Sequence, residues 1–163
     1  MYTNHKGMTL IELVMAIALA GILVAALMSA YSSIVGRSAD PMVRTQTIAI
    51  AESFLEEVLQ KPFLDATSGT RCPATTGARD TYNNVCDYNG YTSTNITLPN
   101  GAAIAGLTGY SIAIAISDIT AGELGSIPTH CALKVTVTVT NPLSDSLSLT
   151  GYRTDYESNP ACS

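Results

Sequence analysis

Histidine and clustered positive charge are what this chain has least of. Its 163 residues include two histidines and eight lysines and arginines against thirteen aspartates and glutamates, a formal net charge of −5. Beyond Gly36 there are seven cations and twelve anions. Arg71, Arg79 and Lys134 are too scattered in sequence to build the basic stripe that nucleic acid requires, so no nucleic-acid partner is expected. No Gly-rich phosphate loop, nucleophile elbow or His/Glu metal motif is present. No cysteine pair is spaced Cys-x-x-Cys, which argues against zinc even with His130 beside Cys131. Asp80, Asn83, Asn84, Asp87 and Asn89 gather oxygen donors, but their spacing fails the EF-hand pattern, and a solvated turn is the expected reading. These absences lead us to expect no enzyme, no cofactor and no metal.

Charge is missing altogether from Leu13 to Val35, a run of 23 residues. As a helix it reaches roughly 35 Å, enough to cross a hydrocarbon core of about 30 Å. Before it stands Lys6-Gly7-Met8-Thr9-Leu10-Ile11-Glu12, a short basic leader ending in glycine with an acid just inside the apolar edge. A carboxylate at a helix centre in the membrane costs about 2.5–3.5 kcal/mol, less near the interface, so Glu12 asks for a partner. A secretory signal would have an apolar region of about 7–15 residues and a small-residue cleavage site. This run is longer, and a plain anchor gives no reason for an acid four residues after Met8. Ala16 and Ala20, and Gly21 and Ala25, are small residues at four-residue steps that let helices approach closely.

The segment Gly7-Met8-Thr9-Leu10-Ile11-Glu12-Leu13 resembles the N-terminus of type IV prepilins and of the pseudopilins of type II secretion. The family most often has Phe after the glycine, where this chain has Met8. The resemblance implies a leader at 1–7, a transmembrane and assembly helix at 8–36, and a periplasmic or extracellular pilin-like domain at 37–163. It also implies cutting between Gly7 and Met8 by prepilin peptidase, which would remove His5 with the leader, and N-methylation of Met8. Glu12 would then neutralise the new amine of Met8, in its own or a neighbouring subunit, within a filament core of stacked apolar helices. The implied partners are the peptidase, other pilins, an inner-membrane assembly platform, and membrane lipid before assembly. The implied location is the bacterial inner membrane, single-pass, and then a pilus or pseudopilus at the cell surface.

The remaining residues suffice for a modest core of their own. Ile48, Ala51, Leu55 and Val58 recur at helical steps, with Glu52, Glu56 and Glu57 on the other face and Glu57 four residues before Lys61. Around Asp40-Pro41 we expect a kink, a break, or a helix restarted with Asp40 as cap; Pro62 ends the helix. Residues 65–90 read as a long loop. Strict alternation at Tyr110–Ser117, Leu133–Thr140 and Ser146–Thr150 predicts half-buried strands of an antiparallel sheet. The fold class is α+β: a long N-terminal helix, half membrane-spanning and half amphipathic, packed on a small antiparallel sheet, which is also a pilin's plan.

Cys72, Cys86, Cys131 and Cys162 all lie beyond the apolar run and suit two disulfides in an oxidising compartment. Of three possible pairings the preferred one joins Cys72 to Cys86 as a local loop and Cys131 to Cys162 as a tie on the C-terminal segment. Tyr82, Tyr88 and Tyr91 offer either a contact surface for a sugar or protein, or packing within their own loop. Residues 51–63, Ala-Glu-Ser-Phe-Leu-Glu-Glu-Val-Leu-Gln-Lys-Pro-Phe, look like the segment after the membrane helix in minor pilins of the mannose-sensitive haemagglutinin pilus. The function expected is a minor pilin of a type IV pilus; the alternatives are a type II secretion pseudopilin or a filament-displayed adhesin. Glu12 argues against the outermost tip subunit, since the family's tip pseudopilin lacks that acid.

Overall fold

A computed structural model describes residues 7, 9–38, 40–75, 77–155 and 162, with the backbone alone for 33–38 and 40. Helix α1 spans Leu10–Ser38 and helix α2 Asp40–Leu59. The junction at Ala39, where the expected kink or break falls, lies outside the described residues. The chain divides into two compact units, residues 1–42 and 43–163. Between Leu10 and Ser38, α1 holds no proline and two glycines, Gly21 and Gly36, in a run rich in Leu, Ala, Ile and Met that favours helix.

In the second unit α2 lies on one face of a four-stranded antiparallel meander. The strands are β1 (Thr92–Ser93), β2 (Ser111–Asp118), β3 (Ala132–Thr140) and β4 (Ser146–Thr154), in the spatial order β1-β2-β3-β4. Period-two alternation puts Ile112, Ile114 and Ile116 opposite Val139, Val137 and Val135 across the β2–β3 ladder. On the other side, Val139, Val137 and Val135 oppose Leu147, Leu149 and Gly151 of β4. These branched cross-strand pairs form the inner face, and the β2 and β3 members are buried. The outer face carries Ala113, Ala115 and the hydroxyl residues of β3 and β4. There Thr138 and Thr140 hydrogen-bond Ser148 and Ser146 through their hydroxyls, each at 2.8 Å.

The buried seam of α2 is Thr47, Ile50, Ala51, Phe54 and Val58. It is rotated from the seam expected: Ile48 and Leu55 are half-buried at its margin. Phe54, not Leu55, is the deep anchor, because a ring fills the space beneath the long loop as well as the helix–sheet seam. The helix crosses β4 at Gly151. A Cβ built there would sit 2.9 Å from Leu59 Cδ1 and 3.1 Å from Leu55 Cδ1, so glycine admits the close approach.

Residues 65–90 are more ordered than a bare loop. They contain 3-10 turns at Arg79–Thr81 and Val85–Tyr88, and Val85, Cys86 and Tyr88 join the core. The structure bonds Cys72 to Cys86, with Cα atoms 4.9 Å apart, and Cys131 to Cys162, 5.4 Å apart. The first bond closes the loop just described. The second ties Cys162 to the turn that enters β3, where the Asp155 N–H also donates to the Cys131 carbonyl at 2.9 Å.

Candidate functional site

The first unit presents apolar surface and almost nothing else. Leu10–Ser32 is long and apolar enough to cross a membrane, with a mean hydropathy of 2.7 over a window none of which is buried within the chain. Leu10 is 81% exposed and Met28 is 68% exposed. Core side chains in a water-soluble unit do not stand out in this way; lipid or other helices must cover them. Glu12 occupies the first turn of α1, where a carboxylate complements the helix dipole. The Glu12 and Leu13 N–H groups donate to the Thr9 carbonyl at 3.1 and 3.2 Å, which opens the helix at Leu10. Gly7 is exposed. Met8, the expected site of cutting and methylation, lies outside the described residues.

Residues 2–28 match the family model of the prokaryotic N-terminal methylation motif. The chain carries a prepilin-type N-terminus. That motif supports a type IV pilin-like or pseudopilin protein, and it implies processing by prepilin peptidase and assembly with other pilins. With the apolar helix it suggests anchoring in the inner membrane. No curated protein and no solved structure matches the chain.

Within the second unit, the densest polar arrangement joins α2 to the long loop. Arg79 Nε donates to Glu57 Oε1 at 2.9 Å, its Nη2 bonds Glu57 Oε2, and its Nη1 donates to the Thr97 carbonyl at 2.7 Å. The guanidinium lies 4.1 Å from the centre of the Phe54 ring. The Tyr88 hydroxyl adds a 2.6 Å bond to Glu57 Oε1. Burial disfavours the charge on Glu57, but the Arg79 and Tyr88 bonds outweigh it and hold the carboxyl below its ordinary range. Burial likewise opposes the charge on Arg79, and Glu57 reverses the effect and raises it. The Tyr88 phenol is pushed up by burial and then by Glu57, so it stays a donor. The Glu57–Lys61 pairing expected from spacing is not what the helix forms. Glu57 turns to Arg79, and Lys61 Nζ donates to the Tyr82 carbonyl at 2.7 Å. A neutral carbonyl and a cation from the loop thus capture both side chains, which makes the contact structural.

The tyrosines pack instead of presenting a surface. Tyr88 is fully buried, Tyr82 and Tyr91 are partly buried against the core, and the rings of Tyr82 and Tyr88 meet edge to face at 4.9 Å. Of the oxygen donors grouped in this loop, Asp87 Oδ2 accepts from the Asn83 and Asn84 N–H groups at 2.9 and 3.2 Å. Asn89 Oδ1 accepts from the Ile116 N–H at 2.9 Å. These acceptors serve the backbone. Among the described residues one group of metal-ligating side chains comes together: His130, Cys131 and Cys162, with ligand atoms within 4.8 Å. Both sulfurs there are spent in the disulfide.

A second polar centre straps the β2–β3 connection over the outer sheet face. Glu123 Oε1 accepts from Lys134 Nζ at 2.7 Å and from the Tyr152 hydroxyl at 2.9 Å. Its Oε2 accepts from the Thr120 N–H and hydroxyl, both at 2.9 Å. The Lys134 bond foremost, then the Thr120 and Tyr152 donors, draw the Glu123 carboxyl down to about 2. Sequence spacing gave no hint of this centre, because its members lie on three separate elements.

Proposed function

We propose that this chain is a minor pilin of a type IV pilus, a structural subunit and not an enzyme. In this reading it is held in the inner membrane by α1 with residues 43–163 on the periplasmic side, and enters a filament through α1. The observation that carries the reading is the prepilin-type motif on a helix whose whole apolar surface is uncovered. Such a helix is stable in lipid, and it is stable again when neighbouring copies replace lipid. Glu12 gives the exchange its direction. In lipid the carboxylate is a cost, whereas in a filament it neutralises the amine that cutting creates on Met8. The unit formed by residues 43–163 supports the subunit role, since its polar centres tie elements together and its tyrosines are packed inward. The same motif equally supports a type II secretion pseudopilin. A major pilin and retraction ATPase encoded nearby would favour the pilus; secretion ATPase and outer-membrane pore genes would favour the pseudopilus.

The test is Glu12→Ala, read as the ratio of this protein in sheared filaments to that in inner membranes. Removing one partner of a buried pair costs about 3–5 kcal/mol. Entry of the variant should therefore fall by a factor of roughly 10² to 10⁴, with cleavage and the fold of residues 43–163 unchanged. A ratio equal to that of the wild type would refute the role given to Glu12.

A further inference from the structure

The two disulfides differ in what they hold and in how they can be reached. Cys72–Cys86 closes a loop with Arg79 at its midpoint, seven residues from each cysteine. That loop brings to α2 the guanidinium which pairs with Glu57 and covers Phe54. Cys72 is exposed, while Cys86 is 6% exposed. Both cysteines line a polar cleft of about 310 Å³, together with Pro73, Thr75, Asn89, Ser117 and Asp118. At the cleft, Arg71 pairs with Asp118, so the chain entering Cys72 is anchored to the end of β2. Cys72 has φ +48°, the left-handed region that a residue with a side chain adopts only when its surroundings impose it. In the other bond Cys131 is 1% exposed within the turn leading into β3, and Cys162 is half-buried where Cys72 is exposed.

We propose that Cys72–Cys86 is a redox latch that sets whether the Arg79 loop is docked on α2. A dithiol reductant enters the cleft, and its thiolate attacks Cys72 Sγ, the sulfur of the exposed residue of the pair. The Cys86 sulfur leaves as a thiolate and takes a proton. The reductant's second thiol then closes on the first, releasing Cys72 as the second thiol. Two electrons pass from the dithiol to the disulfide, and the reductant ends as a cyclic disulfide. Attack at an accessible sulfur is the fast route in such exchange. Once the bond is open, Cys72 leaves its left-handed conformation and the loop regains the freedom that closure removed. Arg79 then departs from Glu57, and the Phe54 side of α2 is uncovered. In an oxidising compartment the latch is closed and the helix is covered. The inference does not depend on the N-terminal motif.

The test uses the full-length chain in detergent micelles, treated with stepped concentrations of dithiothreitol, alkylated, and mapped by peptide mass. Amide hydrogen exchange is followed on the same samples. Cys72 and Cys86 should become alkylated at a reductant concentration about tenfold below that needed for Cys131 and Cys162. Exchange in residues 77–88 and 54–61 should rise about tenfold over the same steps, while β3 stays protected. The double variant C72S/C86S should show the same exchange pattern without reductant; if it does not fold, the reductant series on the wild type decides alone. Opening of Cys131–Cys162 first or together with the other bond would overturn the proposal. So would alkylation of Cys72 and Cys86 with no change in exchange at 77–88.

Discussion

Replacing Arg79 by alanine should be among the most damaging single changes outside the inner sheet face. The substitution removes both bonds to Glu57, the bond to the Thr97 carbonyl, and the cation over the Phe54 ring. It leaves a carboxylate with the Tyr88 hydroxyl as its remaining hydrogen-bond donor. Breaking a buried ion pair on one side costs about 3–5 kcal/mol. The Arg79 side chain is 8% exposed, but that of Glu57 keeps 24% exposure, and water can resolvate part of its charge. The lower end, about 3 kcal/mol, is therefore expected. For a domain of this size each kcal/mol moves Tm by about 4 °C, giving a fall of roughly 12 °C. Near-ultraviolet circular dichroism follows the buried tyrosines during thermal unfolding. A cycle with Glu57→Gln separates pairing from packing, and the coupling should be about 2 kcal/mol. The sign with pH follows from the depressed Glu57 carboxyl: its stabilisation is full above the unfolded value of about 4.3 and is lost as pH falls through the folded value. Glu57→Gln should remove that acid loss. A fall no larger than that from Arg44→Ala, at an exposed site on the same helix, would refute this reasoning.

Gly151→Val should cost about 1–3 kcal/mol, because branched methyls would push into Leu55 and Leu59 where α2 crosses β4, while Gly151→Ala should be milder; denaturant unfolding distinguishes them. Glu123→Gln should flatten stability between pH 4.5 and about 2, since in the wild type the strap is present above the ordinary value and is lost as pH falls through the folded one. Urea midpoints measured across that range check it, and a midpoint curve identical to that of the wild type would contradict the assignment.

Elements governed by local period were legible in the sequence. The uncharged run is α1, and the three alternating stretches are β2, β3 and β4, because burial on one face needs only a step of two residues or of three to four. Two-residue β1 carries too little pattern to see. The α2 seam was misread by a small rotation, since Ile48, Leu55 and Phe54 are all apolar and only the loop packed above the helix selects Phe54. The role of Glu57 was hidden for the same reason: Lys61 is its neighbour in sequence, whereas Arg79 is brought to it by a fold 22 residues long. The strap at Glu123 depends on β3 and β4 and has no local signature. At the N-terminus the position was reversed. There the motif spoke through chemistry in sequence order, glycine then Met8 then an acid four residues on, and no tertiary contact was needed to read it.

The central claim is that this N-terminus is cut and modified for assembly, and the mass of the mature chain tests it most directly. Protein recovered from membranes of a host with prepilin peptidase should lack residues 1–7, begin at Met8, and carry one added methyl group on the Met8 amine. Gly7→Val should leave the chain uncut. A mature chain that still begins at Met1, or one cut beyond the apolar helix so that Glu12 is lost, would contradict the account.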